Sequence, residues 1–298
     1  VAIRLSIPGK SFLAGEYLAL SGGPALLFMS EPRFEIIAQA GTGQLIGIHP
    51  ESPAGKLWTA NKDFFQNFDL IFKDGYKGQG GFGASTAQFL AVYALNAWQE
   101  SVYHEPQKLL DYKHLLETYW QHAWNGEGTR PSGADLIGQL KGALTIFERA
   151  SGKIAIQGWP FENLDFVLAH TGNKVPTHEH LKSLGEFPTE GLFKAFQQIE
   201  KGLNEHSEAN LLNGVHHYAE VLRGLGFTCE PTLKLLSDVH SIPGVKAAKG
   251  CGALGADVLF IIFEKSQTAS VVEAIEKKGL KIVTKRSQVG AGLEVQTI

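Results

Sequence analysis

The chain has 298 residues, enough for two domains of roughly 150 residues or one large one. Apolar residues make up 44% and charged residues 19%, with 34 Gly against 12 Pro, a globular α/β composition that excludes disordered, collagen-like and low-complexity chains. A net charge of −3 with no basic arm argues against duplex nucleic acid held through its phosphates, and Cys229 and Cys251 are too few for a disulfide framework and lack zinc-site spacing. In chain order, Ile3, Leu5 and Ile7 alternate with Arg4 and Ser6, so Val1–Pro8 is predicted as a half-buried strand. Two more strands, Ala25–Ser30 and Arg33–Gln39, join at Glu31-Pro32, and Gly41-Thr42-Gly43 separates them from Gln44–Ile48. A glycine-rich loop over Gly78–Gly83 feeds a helix over Ser85–Gln99, with Ser85 expected as its N-cap.

A second helix is expected over Pro106–Trp124, ending at the turn residues Asn125-Gly126-Glu127-Gly128, and a third is opened by Pro131-Ser132 and runs to about Leu140. Trp98, Trp120 and Trp124 are read as core. Ala143–Glu148 and Lys153–Gln157 form a predicted hairpin, and Gly158-Trp159-Pro160 marks a boundary between units 1–160 and 161–298. Beyond it come a strand over Asp165–His170, helices over Gly191–Leu203, Ser207–Leu225 and Pro231–His240, and a strand over Val245–Gly250. The loop Cys251–Ala256, a strand over Asp257–Glu264, a helix near Ala269–Lys278 and a strand over Lys281–Thr284 close an α+β second half. No run reaches the ~18 apolar residues of a membrane span, and the N-terminus lacks signal-peptide order. The expectation is a cytoplasmic protein with small-molecule partners, no nucleic acid and no membrane, as a monomer or homodimer.

Three glycine-rich segments invite chemistry. Gly9-Lys10-Ser11 is not a P-loop, because Arg4 stands where the leading glycine is required. Gly78-Gln79-Gly80-Gly81-Phe82-Gly83 has dinucleotide-fold spacing, but more than seventy residues precede it, and Gly250–Gly255 has the same spacing before a strand rather than a helix. What the second segment does provide is free backbone N–H groups running into a helix N-terminus, which attract phosphate; an ordinary capped turn is the alternative. Asp135, in the first turn of the third helix, is either a catalytic carboxylate or one that serves the helix dipole.

Taken together, Pro8-Gly9-Lys10 with Gly15-Glu16-Tyr17, Gly81-Phe82-Gly83-Ala84-Ser85-Thr86-Ala87, Lys249-Gly250-Cys251-Gly252-Ala253-Leu254-Gly255-Ala256 and Ser132-Gly133-Ala134-Asp135 resemble the signatures of the GHMP kinase superfamily. The first looks like its mevalonate and phosphomevalonate kinase branch. Phe82, Ala84 and Thr86 depart from the usual second signature, and Leu254 sits where the third usually has glycine. The resemblance implies an α+β fold of two domains: an N-terminal α/β domain, 1–160, holding most of the ATP site, and a C-terminal ferredoxin-like α+β domain, 161–298. It implies ATP and Mg²⁺ as cofactors, Asp135 as the base that takes the acceptor hydroxyl's proton, and Lys10 beside it, where a strand-end lysine is the alternative.

By the same resemblance Gly81, Gly83, Ala84, Ser85, Thr86 and Gly252 would bind ATP, and the Ser85 hydroxyl would reach the metal. The second family metal ligand falls on Trp124, leaving Gln121 or Glu127 as substitutes. Glu16, Tyr17, Lys174 in Lys174-Val175-Pro176, and Arg130 are expected at the acceptor. His178 and His180 are expected to be surface residues. The implied activity is phosphorylation of an alcohol of the mevalonate pathway. Mevalonate is favoured over phosphomevalonate because Arg130 is the one cation near the catalytic segment; a diphosphomevalonate decarboxylase and a non-catalytic ligand-binding regulator are the alternatives.

Overall fold

The structure, a computed structural model, describes residues 2–99, 111–172 and 184–298, and all statements of presence or absence below refer to these. The segment with Lys174-Val175-Pro176, His178 and His180, the first residues of the predicted helix Pro106–Trp124 and the side chain of Trp98 lie outside the described residues.

Strand β1 spans Ile3–Ala14, well beyond Pro8. Alternation ends at Pro8 because the later half is buried on both faces, with Phe12, Leu13 and Ala14 in succession. The two strands expected around Glu31-Pro32 are one, β2 (Pro24–Ala40). Its register against β1 moves from Pro8↔Arg33 to Gly9↔Ser30, so Glu31 and Pro32 form a bulge within a continuous strand. Gly9 is needed here: a Cβ on it would lie 1.9 Å from the Tyr76 hydroxyl oxygen, which donates to Ser30 O.

Of Gln44–Ile48 only β3 (Leu45–Ile46) is strand. It runs parallel to β4 (Phe68–Asp74), after helices α1 (Pro53–Ala60) and α2 (Lys62–Phe65), and the sequence reading missed all three. A signal for α1 was present, since Ser52 caps it and Pro53 occupies its first turn. Helix α3 (Ala84–Gln99) is followed in the described chain by α4 (Tyr112–Ala123), capped by Asp111, and α5 (Ala134–Lys141). The hairpin β5 (Leu144–Glu148) and β6 (Lys153–Gln157) is as expected.

The remainder is β7 (Leu164–His170), α6 (Glu190–Asn204), α7 (Glu208–Gly224), α8 (Glu230–His240), β8 (Val245–Cys251), β9 (Val258–Glu264), α9 (Thr268–Lys277), β10 (Lys281–Lys285) and β11 (Glu294–Thr297). A seven-stranded sheet runs β11-β1-β2-β4-β3, with β5 on β2 and β6 on β5; an antiparallel four-stranded sheet has the order β10-β7-β9-β8. The unpredicted β11 returns the chain end to β1, pairing Leu5 with Val295. The two sheets share one core: Phe28 stacks on Phe166 at 4.8 Å, and Phe166 meets Phe260 edge-on at 5.3 Å. This brings the end of β1, the start of α3, the start of α5 and the turn after β8 into one region.

Candidate active site

Lys10 and Asp135 meet. Lys10 lies late in β1, Asp135 in the first turn of α5, and Nζ stands 2.8 Å from Oδ2, with the side chains 12% and 23% exposed. Neither is a solvated surface residue, and neither is sealed from a ligand. The turn into α5 needs glycine at position 133, where φ is +76° and a Cβ would lie 2.2 Å from Leu116 Cδ2. The carboxylate sits where the helix dipole favours negative charge. Tyr119 is buried nearby, and burial together with the Asp135 charge raises its pKa.

The 81–86 loop is bound directly to this pair. Lys10 N donates to Phe82 O at 3.0 Å, and Gly83 packs so closely on Lys10 that a Cβ would stand 2.9 Å from Lys10 Cγ. Gly83 has φ +83° and its carbonyl accepts from Ala87 N, so it is the residue that caps α3. This corrects the assignment of Ser85: it is exposed in the first helical turn rather than being the N-cap. The early amides of α3, at Ala84, Ser85 and Thr86, are those that a helix leaves without partners.

Gln139, which the sequence reading missed, organises these segments. It is fully buried; its Nε2 donates to Pro8 O at 3.0 Å and to Gly83 O at 3.1 Å, and its Oε1 accepts from the Thr86 hydroxyl at 2.7 Å. The available signal was its spacing, four residues after Asp135 and therefore on the same helical face.

The third glycine segment closes onto the second through Asp257. Gly81 (φ +91°) is so close that a Cβ would lie 2.5 Å from Asp257 Cβ, and on Gly252 (φ +87°) it would lie 2.1 Å from Asp257 Oδ2. Both glycines are thus fixed by close approach as well as by φ. Asp257 itself is buried at 8% exposure.

Glu16 and Tyr17, expected at the acceptor, are turned into the protein instead. Glu16 Oε1 accepts from Lys249 Nζ at 2.6 Å, with side chains 6% and 0% exposed, and Tyr17 is stacked on Phe227. Burial opposes the Lys249 charge, but neighbouring Cys251 and Glu16 outweigh it and its pKa is raised; burial pushes the Cys251 thiol up to about 11. Arg130 lies over the Trp120 ring at 4.1 Å, and Arg149, which the sequence reading did not single out, lies 5.6 Å from the same ring. Trp120 and Trp124 are only partly buried; Trp120 packs against the main core as read, whereas Trp124 does not and lies 6.0 Å from Arg130, so its reading as core is corrected. Among the described residues neither arginine has an acidic partner, and Arg149 Nη1 is buried without a hydrogen bond. Burial and then the Arg130 charge lower the Arg149 pKa.

Glu127 is exposed and accepts from Asn125, with no bond or ion pair to Ser85, Lys10 or Asp135. Gln121 is exposed as well. No cluster of three or more His, Cys, Asp or Glu side chains that could hold a metal occurs among the described residues. A triphosphate-bound Mg²⁺ needs no such cage, since it takes one or two protein ligands and otherwise phosphate and water, and the exposed Ser85 hydroxyl fits that donor set. Glycines 81, 83 and 252 are required by close packing, the first and last against Asp257 and the second against Lys10 and Gln139, and what the loop offers an anion is the first-turn amides of α3.

No family model matches the sequence, and no curated protein matches it. The fold, however, is that of the GHMP kinases, a class whose solved structures resemble this chain over nearly its whole length. One is the Lin0012 protein of Listeria innocua, at a TM-score of 0.80 and 15% identity, covering 100% of each chain. A second is Streptococcus pneumoniae phosphomevalonate kinase in complex with phosphomevalonate and AMPPNP, at a TM-score of 0.75 and 16% identity over 96% of this chain and 99% of that one. A third is Methanococcus jannaschii mevalonate kinase, at a TM-score of 0.68 and 15% identity over 95% and 97%. No helix among the described residues is long and apolar enough to cross a membrane.

Proposed function

We propose that the protein is an ATP-dependent kinase that phosphorylates an alcohol of the mevalonate pathway. The observation that carries this reading is the Lys10–Asp135 contact of 2.8 Å, held by Gln139 and Phe82 against a glycine loop that opens a helix. In this reading unit 1–160 supplies most of the nucleotide site and unit 161–298 closes it through Gly252. Asp135 Oδ accepts the proton of the acceptor hydroxyl as its oxygen bonds to the γ-phosphorus, the bond to the ADP oxygen breaks, and ADP leaves. The Lys10 ammonium offsets the charge that gathers on the attacking oxygen. The first-turn amides of α3 and the loops at glycines 81, 83 and 252 hold the phosphates, and the Ser85 hydroxyl would hold a Mg²⁺ that, when bound, would supply neutralising charge. ADP release measured over a panel of mevalonate, phosphomevalonate and diphosphomevalonate tests the reading. Turnover on none of them would reject it in favour of a binding protein, and CO₂ release would point to the decarboxylase.

For the acceptor, mevalonate is the reading from sequence, which rested on a single cation near Asp135. The pairing of Arg130 with Arg149 around Trp120 favours a second reading, phosphomevalonate. Two guanidinium groups over one ring, neither with an acidic partner among the described residues, repel each other unless an anion binds nearby, and guanidinium forks suit a phosphate. On this second reading kcat/KM for phosphomevalonate exceeds that for mevalonate by about tenfold or more, and Arg149→Ala removes the preference by raising KM. Equal or better turnover of mevalonate by the native enzyme returns the acceptor to mevalonate.

A further inference from the structure

Residues 252–256 contain a conflict between side chain and backbone. Leu254 adopts φ 52° and ψ 25°, the left-handed region that a leucine rarely occupies, although Gly250, Gly252 and Gly255 surround it. Both of its backbone polar groups are held from outside the turn. Its N–H donates to the Tyr17 hydroxyl at 3.2 Å, and its carbonyl accepts from Cys229 N at 2.9 Å. Tyr17 is itself immobilised at 3% exposure, its ring stacked on Phe227 at 4.2 Å and edge-on to Phe187 at 5.9 Å. One residue earlier, Glu16 reaches Lys249, at the end of β8 that leads into this same turn, and Gly15 N donates to the buried Tyr218 hydroxyl at 2.9 Å. The Gly15 amide, Glu16 Oε1 and the Tyr17 hydroxyl therefore all bond to segments of the second half of the chain, and the last two act on the third glycine segment or the strand that leads into it.

A buried ion pair contributes little net stability, but it fixes which groups meet, and a single hydroxyl on a strained amide selects one backbone conformation over its alternatives. We propose that Tyr17, backed by the Glu16–Lys249 pair, is a positioning residue for the nucleotide: it clamps Leu254 in the left-handed conformation, so that residues 252–255 keep the shape of a phosphate cradle with a leucine in place of glycine. This rests on the nucleotide site proposed above, and it moves Glu16 and Tyr17 from the acceptor side of the reaction to the nucleotide side. A glycine at 254 adopts the same φ without a clamp, so the need for the Tyr17 hydroxyl should vanish with the leucine.

The test is a cycle of Tyr17→Phe, Leu254→Gly and the double variant, in the full chain, titrated calorimetrically with AMPPNP and Mg²⁺. Tyr17→Phe keeps the ring and its stacking, and thermal melting checks that the fold persists. In the native background it should weaken AMPPNP binding by about fivefold or more, the loss of one buried hydrogen bond, and leave the acceptor KM unchanged. In the Leu254→Gly background it should change the Kd by less than about twofold, because the strained residue is gone. The same shift in both backgrounds, or no shift in either, overturns the clamp. A raised acceptor KM with unaltered AMPPNP affinity also overturns it and returns Tyr17 to the acceptor side. Failure of the native protein to bind AMPPNP at all is seen before any variant is made, and it removes the kinase reading and this inference together.

Discussion

Replacing Asp135 by asparagine should lower kcat by roughly 10²–10⁴ while nucleotide affinity stays close to native. Asparagine keeps the size and one oxygen of the aspartate, so the contact with Lys10 and the first turn of α5 can survive; what is lost is the ability to accept the hydroxyl proton. The pair is only 12% and 23% exposed, so removing the negative charge leaves the Lys10 ammonium without a counter-ion and should also lower the melting temperature. A cooperative thermal transition above the assay temperature shows that the fall in rate is not a loss of fold. Single-turnover kinetics with the best acceptor of the panel, alongside calorimetric titration of AMPPNP, separate the two effects. Native-like turnover would sink the assignment of Asp135 as base and leave it as a carboxylate serving the α5 dipole.

Gly83→Val should act on both substrates at once. Position 83 has φ +83°, which a β-branched residue adopts at a cost of about 1–3 kcal/mol, so the melting temperature should drop. A Cβ there would stand 2.9 Å from Lys10 Cγ and 3.1 Å from Gln139 Nε2. Neither neighbour can yield freely, because Gln139 is fully buried and bonded on three sides and Lys10 is tied to Asp135. Lys10 would be pushed off its partner, and the cap of α3 would lose the open face that phosphate requires. The expected result is a loss of turnover of roughly 10²-fold or more together with weakened AMPPNP binding. Gly83→Ala should show the same pattern with smaller losses. A valine variant that binds AMPPNP as tightly as the native protein would mean that 81–86 is an ordinary turn.

The turns and helix starts around this site were legible because their determinants are local. The glycine loop ahead of α3, the proline–serine turn ahead of α5 and the carboxylate in its first turn are each readable from a few neighbouring residues, but local pattern also allows an ordinary turn and a dipole-serving carboxylate, and only the resemblance to the GHMP kinases gave Gly81, Gly83 and Asp135 a role. The same holds for the hairpin of β5 and β6 and for the helices α6 to α9, whose apolar spacing reflects burial on one face. Where a strand is buried on both faces, as in the second half of β1, alternation disappears and the boundary is lost with it.

What only the tertiary structure decided are the meetings between distant residues. No local pattern says that Glu16 faces Lys249, 233 residues away, or that Tyr17 turns inward to the Leu254 amide instead of outward to a substrate. Nor does any local pattern show that Arg149 shares the Trp120 ring with Arg130, that Gln139 joins Pro8 to Gly83, or that β11 returns to β1. Such contacts depend on how two sheets pack across one core, and the sequence alone fixed the chemistry available at each position while that packing chose which groups it is spent on.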